Sequence, residues 1–136
     1  MIERRRTPDG RRLAVTRELD ADRETVWDLL TDTERWPEWG PSVRAVDCQQ
    51  RYIEAGTTGR VRVPGGIWLP FAVETCRDYR WTWRVARVPA TGHFVELVEG
   101  AKDSTCRVGF ELPLYAVGYA PVCRRALGRI ADLAEN

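Results

Sequence analysis

The stretch that decides the fold is Glu24–Asp32 (ETVWDLLTD), followed after three residues by Trp36–Trp39 (WPEW). These two segments hold three of the six tryptophans of the chain. Apolar residues recur at helical spacing in the first segment, which predicts an amphipathic helix over 23–31. The second segment forms at most another short helix, because Pro37 and Pro41 prevent a long continuation. So many large aromatic side chains on a short helical corner indicate a shaped apolar interior.

Alternating apolar and polar residues predict strands on both sides of this corner. Residues 11–19 form the first strand, and residues 1–10 are expected to be loosely ordered. After Pro41 the pattern predicts about six strands, near 43–50, 57–63, 71–75, 81–85, 93–98 and 106–112. Tight turns are predicted at 64–66, 77–78 and 100–104, and a connection is predicted to begin at 89–92.

From Tyr119 or Pro121 the period of the apolar residues becomes helical, and proline suits the first turn of a helix. The apolar stripe consists of Cys123, Ala126, Leu127, Ile130, Leu133 and Ala134. A run of antiparallel strands with one terminal amphipathic helix predicts an α+β fold. We expect a curved antiparallel sheet of about six to seven strands wrapped around the long C-terminal helix, with two short helices after the first strand.

Composition and charge exclude several classes of function. A length of 136 residues indicates one soluble domain, and a net charge of +1 gives no strong electrostatic field that would attract nucleic acid. The four cysteines lack metal-ligand spacing and no signal peptide precedes the first strand, so free thiols in a cytoplasmic protein are expected. The longest uncharged runs, 63–73 and 112–123, are too short to cross a bilayer. We therefore expect no metal, no cofactor, no stable membrane insertion, and a monomer or homodimer.

The order of these motifs resembles the START-like, polyketide cyclase/dehydrase superfamily, which has the helix-grip fold. The matching residues are Val26–Asp32, Trp36–Trp39, the segment around Gly56 and Gly59, Tyr79–Trp83, Thr91–His93, Cys106–Val108 and the C-terminal helix. The resemblance implies a cavity between the concave sheet and the C-terminal helix that binds a hydrophobic small molecule such as a lipid, polyketide or quinone. Some members are cyclases or dehydratases and others have no known reaction, so the fold does not fix the function.

His93, the only histidine, is the candidate catalytic residue. It shares strand parity with Val95 and Leu97, so it is expected to point inwards. A side chain that titrates near neutral pH in an apolar cavity suits acid–base chemistry and also ligand contact. The alternative is a hydrogen-bonded core histidine, because the sequence fixes no second catalytic group beside it.

Aromatic residues supply the other candidate ligand contacts. They are Trp39, Trp68, Trp81, Trp83, Tyr115 and Tyr119. A buried indole N–H needs an acceptor, which a ligand oxygen could supply, and a tyrosine hydroxyl could bond a ligand carbonyl. Trp36, Trp39 and Trp68 fall near loops that border the cavity mouth in this fold, where they either contact a ligand or only anchor the loops. Trp27 is assigned to the core.

Three functions remain open on the sequence. The first is binding of a hydrophobic or aromatic small molecule, and the second is a cyclase, dehydratase or isomerase that uses His93 with a tyrosine. The third is an interaction protein whose cavity is collapsed and filled by its own tryptophans. The polar groups predicted to face inwards, which are His93, Thr75, Thr91 and the tyrosines, are few for the carbonyl polarisation that a cyclase needs. This favours binding over catalysis.

Overall fold

The computed structural model describes residues 1–102 and 104–135, which contain eight strands, three α-helices and one 3₁₀ segment. The strands are β1 (Ile2–Thr7), β2 (Gly10–Leu19), β3 (Ala45–Asp47), β4 (Thr58–Arg62), β5 (Trp68–Arg77), β6 (Arg80–Val85), β7 (Val88–Leu97) and β8 (Cys106–Leu112). The helices are α1 (Arg23–Thr31), α2 (Trp36–Trp39) and α3 (Ala120–Ala134), and the 3₁₀ segment is Leu114–Tyr119.

All eight strands belong to one antiparallel sheet in the order β1-β2-β8-β7-β6-β5-β4-β3. Strands β3 to β8 follow one another as a meander. The chain therefore crosses from β2 to the far edge of the sheet through α1 and α2. The predicted α+β helix-grip architecture is confirmed, with a sheet of eight strands instead of six to seven.

The extra strand is β1, which pairs with β2 where the sequence predicts a loosely ordered terminus. The two short helices consequently follow the second strand. Arg5 explains why this arginine-rich segment is ordered. Its guanidinium group donates to Glu3 and Glu96 and lies 4.5 Å from the centre of the Phe94 ring.

Helix α1 has the predicted bounds because both of its ends are satisfied. The Asp22 carboxylate accepts the Thr25 backbone N–H at 2.7 Å and caps the N-terminus. At the other end, the last carbonyl groups of a helix have no partner within it. The indole Nε1 of Trp36 donates to Leu30 O at 3.0 Å, and that of Trp39 donates to Leu29 O at 2.8 Å.

These bonds place the rings of Trp36 and Trp39 in the core, not on loops at the cavity mouth. Trp27, which the sequence assigns to the core, is only half-buried and packs edge-on against Tyr79. Helix spacing alone does not distinguish the centre of an apolar stripe from its margin.

Two local irregularities depart from the predicted pattern. The turn between β6 and β7 lies at Ala86 and Arg87, both with positive φ, and residues 89–92 belong to β7. A bulge between Val73 and Thr75 reverses the parity of β5. Thr75 is therefore exposed instead of facing inwards, and its hydroxyl contacts that of Thr82 at 2.7 Å. The turn predicted at 100–104 includes Asp103, which lies outside the described residues.

Helix α3 covers the concave face of the sheet with the predicted stripe. Cys123, Ala126, Leu127 and Ile130 are buried, and the helix packs against β2, β8, α1 and α2. Within the described ranges, no helix combines the length and the apolar character needed to cross a bilayer.

Truncating this stripe is expected to destabilise the protein. Leu127→Ala or Ile130→Ala should lower the free energy of unfolding by about 2–5 kcal/mol, because each change leaves a cavity in a packed core. Chemical denaturation measures the effect. Arg125→Ala on the exposed face of α3 is the control, and a loss for Leu127→Ala no larger than the control's would contradict the burial.

Candidate functional site

The interior between the sheet and α3 is filled largely by stacked aromatic rings. The Trp36 and Trp81 rings are nearly parallel, with centroids 5.2 Å apart. The imidazole of His93 stacks on the opposite strand's Trp81 at 3.8 Å. Trp83 contacts Trp36, Trp81 and His93 edge-on. We call the rings of Trp36, Trp81 and His93 the aromatic stack.

Beside the aromatic stack lies a small cavity of about 50 Å³, the inner cavity. Its walls come from α2 and the loop after it, from β6 to β8, and from the first turns of α3. Trp39, Trp81, Trp83, His93 and Tyr119 are among the residues that line it, so the structure brings five of the predicted site residues together.

A larger cavity of about 280 Å³, the outer cavity, lies next to the inner one. Five residues line both: Ser42, Val43, Trp83, Thr91 and Tyr119. The rest of the outer cavity is apolar, and its other lining residues are Val61, Val63, Val85, Pro89, Ala90, Leu112, Pro113 and Ala116. Pro89 and Tyr119 are also exposed on the surface, so the outer cavity reaches solvent.

His93 is buried, as its strand parity predicts, and both of its ring nitrogens have partners. Nδ1 lies 3.3 Å from Trp81 O, and Nε2 lies 2.9 Å from the Thr91 hydroxyl. A neutral imidazole protonated on Nδ1 satisfies both contacts, since Nε2 then accepts from Thr91. Burial lowers the pKa of His93 to about 3, so the ring is uncharged at neutral pH.

One indole N–H in the aromatic interior has no hydrogen-bond acceptor among the described residues. Trp83 Nε1 donates to the Thr91 hydroxyl at 3.2 Å, and the Trp36 and Trp39 indoles donate to carbonyl groups of α1. Among buried side-chain nitrogen and oxygen atoms of the described residues, only Trp81 Nε1 has no partner. Trp81 also lines the inner cavity, and its Nε1 atom is itself buried.

Two of the predicted ligand residues lie outside both cavities. Trp68 is on the outer face of β5, where the Arg60 guanidinium lies 5.0 Å from its ring centre. Tyr115 is 74% exposed, and its hydroxyl is 3.5 Å from Pro89 O. Tyr119 lines both cavities, and its hydroxyl donates to the Ser42 hydroxyl at 2.6 Å.

Cys123 is the thiol nearest to candidate chemistry, since it lines the inner cavity. Burial raises its pKa to about 12, so it stays a protonated thiol at neutral pH. It therefore provides no nucleophile to pair with His93.

Sequence reasoning missed most of the outer cavity, whose walls come from separate segments at one end of the sheet. A sequence signal for this wall is the uncharged run 112–123, whose Tyr115 and Tyr119 are predicted ligand contacts while its aliphatic residues are not. Part of that run, Leu112–Ala116, supplies three lining residues. A cavity wall of this kind is indicated by apolar residues that follow neither the alternation of a strand nor the spacing of a helix.

Solved structures support the same fold. The protein XoxI from Bacillus cereus superposes with a TM-score of 0.66 at 15% identity, covering 89% of this chain and 93% of its own. A protein from Nitrosomonas europaea gives a TM-score of 0.64 at 16% identity, covering 90% and 92% of the two chains. A protein from Arthrobacter aurescens gives 0.64 at 12% identity, covering 97% and 90%. Identities this low establish the fold alone.

The sequence comparisons give the family. No curated protein matches the chain. The family described as polyketide cyclase / dehydrase and lipid transport, however, matches residues 11–135, which run from β2 to the end of α3. Nearly the whole chain is covered, and every element that builds the two cavities falls inside the match. The chain therefore belongs to the polyketide cyclase/dehydrase and lipid transport family.

Proposed function

We propose that the protein binds a compact apolar molecule carrying an acceptor oxygen, with its apolar body in the outer cavity and its oxygen in the inner cavity. The observation that carries this proposal is the unpartnered N–H of Trp81, a residue that lines a cavity adjoining a larger apolar one. A buried donor without a partner costs about 1–3 kcal/mol. A carbonyl or ether oxygen in the inner cavity would remove that cost.

Size and polarity narrow the class of ligand. Typical small-molecule sites begin near about 300 Å³ and are mostly apolar with a few placed polar groups. The outer cavity, at about 280 Å³, is close to this lower end, and the inner cavity adds to it. A small ring system or a short acyl chain fits this space, whereas a whole phospholipid does not.

The enzyme alternative lacks a suitable acid or base. A general base works best when its pKa lies near the working pH, and His93 is far below it. Its hydrogen-bond partners are a threonine hydroxyl and a backbone carbonyl, neither of which titrates. Binding therefore explains the site with fewer requirements than a cyclase that uses His93.

The collapsed-cavity alternative describes only half of the interior. The aromatic stack does fill the space under α3 and leaves about 50 Å³. The outer cavity remains open beyond the rings, and aliphatic side chains form most of its wall. The tryptophans thus limit the ligand to the outer end of the fold without removing room for it.

Filling the outer cavity should abolish binding of an apolar probe. Ala116→Phe places a phenyl ring against the cavity wall, and we expect it to weaken binding of 1-anilinonaphthalene-8-sulfonate by at least about tenfold in a fluorescence titration. Val117→Phe is the control, because Val117 is exposed and outside the lining. Equal affinities for wild type and both variants would refute the proposed site.

The Trp81 N–H should select for a carbonyl group. The molecules 2-acetylnaphthalene and 2-ethylnaphthalene have similar shapes and differ in one carbonyl oxygen. Trp81→Phe is expected to reduce affinity for the ketone about fivefold more than for the hydrocarbon, since one hydrogen bond contributes about 1 kcal/mol. Trp39→Phe is the control, because its N–H is already donated to Leu29. An unchanged ketone-to-hydrocarbon ratio in Trp81→Phe, measured by calorimetry, would overturn the assignment.

His93 should make the protein less stable in mild acid. Its pKa is about 3 when folded and about 6.5 when unfolded, so below pH 6.5 only the unfolded chain binds the proton. The contribution of neutral His93 to the free energy of unfolding is complete above pH 6.5. It falls by about 1.4 kcal/mol per pH unit as the pH drops towards 3. Urea denaturation between pH 6.5 and 5 measures this slope.

His93→Phe keeps an aromatic ring beside Trp81 and removes the titrating group. Subtracting its pH profile from that of the wild type removes the contribution of the carboxylates. Identical slopes in the two proteins would mean that His93 is not held neutral in the folded state.

A further inference from the structure

The surface around the outer cavity is apolar and exposed. Five side chains, each at least 53% exposed, form what we call the rim: Ile67, Val88, Leu114, Tyr115 and Val117. Large apolar side chains exposed together on one surface mark interaction sites, whereas single ones need no explanation.

The topology brings the rim residues to one end of the molecule. Leu114, Tyr115 and Val117 belong to the 3₁₀ segment, whose Ala116 lines the outer cavity. Val88 precedes Pro89 of the lining, and the Tyr115 hydroxyl approaches Pro89 O. The carbonyl of Ile67 accepts the N–H of Val63, another lining residue.

Exposed arginines accompany this apolar surface. Arg44, Arg62 and Arg87 are exposed, and each is adjacent in sequence to a lining or rim residue. The carboxylates on neighbouring strands are already engaged, since Asp47 pairs with Arg60 and Glu74 with Arg84.

The geometry points to the rim as a docking surface for an anionic lipid membrane. Apolar side chains enter the boundary between headgroups and acyl chains, while the neighbouring arginines contact anionic headgroups. Docking in this orientation turns the open end of the outer cavity towards the bilayer, from which an apolar molecule can enter without crossing water. The docking argument rests on the surface alone and does not require the ligand proposed above.

Co-sedimentation with lipid vesicles tests this inference. We expect the wild-type protein to bind vesicles of phosphatidylcholine and phosphatidylglycerol, and to bind pure phosphatidylcholine vesicles at least about tenfold more weakly. Added salt should release the protein, because it screens exposed charges. Arg44→Glu/Arg62→Glu and Leu114→Ser/Val117→Ser should each reduce the partition coefficient by at least about tenfold.

Matched controls distinguish binding through the rim from non-specific binding of the protein to vesicles. Arg4→Glu/Arg6→Glu changes the net charge equally on exposed residues of β1, and Leu97→Ser removes an apolar side chain that is 52% exposed elsewhere. Both controls should bind like the wild type, and circular dichroism checks that every variant is folded. Absence of binding to anionic vesicles, or equal losses in rim variants and controls, would overturn the inference.

Sedimentation velocity tests the alternative that a second copy of this chain binds the rim. A dimer that Leu114→Ser/Val117→Ser dissociates would show that the rim joins two copies of this chain, and the membrane assignment would then be wrong. A monomer that binds anionic vesicles through the rim supports it. Because Ala116→Phe fills the cavity beneath the rim, vesicle binding by this variant distinguishes failure of docking from failure of ligand binding.

Discussion

The contact on which the rest of the interior depends is the stacking of Trp36 on Trp81 and of Trp81 on His93. It joins α2 to β6 and β7, which come from distant parts of the chain. The Trp36 indole also satisfies a carbonyl at the end of α1, so one side chain fixes the helical corner against the sheet. With that corner in place, the space under α3 is mostly full, and the larger cavity lies at the outer end of the fold.

The same burial determines the chemistry of the site. Dehydration keeps the imidazole of His93 neutral, and it makes an unpaired indole N–H costly. The indoles of Trp36, Trp39 and Trp83 avoid that cost by donating to carbonyl or hydroxyl oxygens of the protein. Trp81 does not, although it is in the middle of the stack. The neutral imidazole of His93 and the unpartnered N–H of Trp81 are the basis on which we propose recognition over catalysis.

The sequence predicts the architecture well because periodicity is a local property. Strand alternation and the stripe of α3 follow directly from which residues must be buried, and both are confirmed. The errors arise where local rules do not apply. Ala86-Arg87 lacks the glycine or asparagine usual in a turn with positive φ. The bulge beside Thr75 changes which face that side chain occupies, and nothing in the local pattern marks it.

The site itself is less predictable, because it depends on contacts between distant segments. Asp32 belongs to the motif that decides the fold, but its buried carboxylate accepts three hydrogen bonds from Arg51, which no local pattern reveals. Strand parity places Trp81, Trp83 and His93 together. The same parity gives the outward face of Trp68, which is three residues before the buried Phe71, but only because β5 begins at Trp68 and not near 71, where the sequence predicts the strand.

The boundary between the two cavities determines what the proposed ligand would meet on its way inwards. The hydroxyl groups of Tyr119 and Ser42 bond across it, and Trp83 and Thr91 form its other side. The Thr91 hydroxyl is already committed to His93 and Trp83, so it offers little to a ligand that passes. For the proposed ligand, the polar groups at this boundary are therefore few: the Ser42 hydroxyl accepts from Tyr119 and keeps its own proton to donate, and behind it Trp81 has an unpartnered N–H. The aliphatic wall of the outer cavity sets no comparable polar requirement.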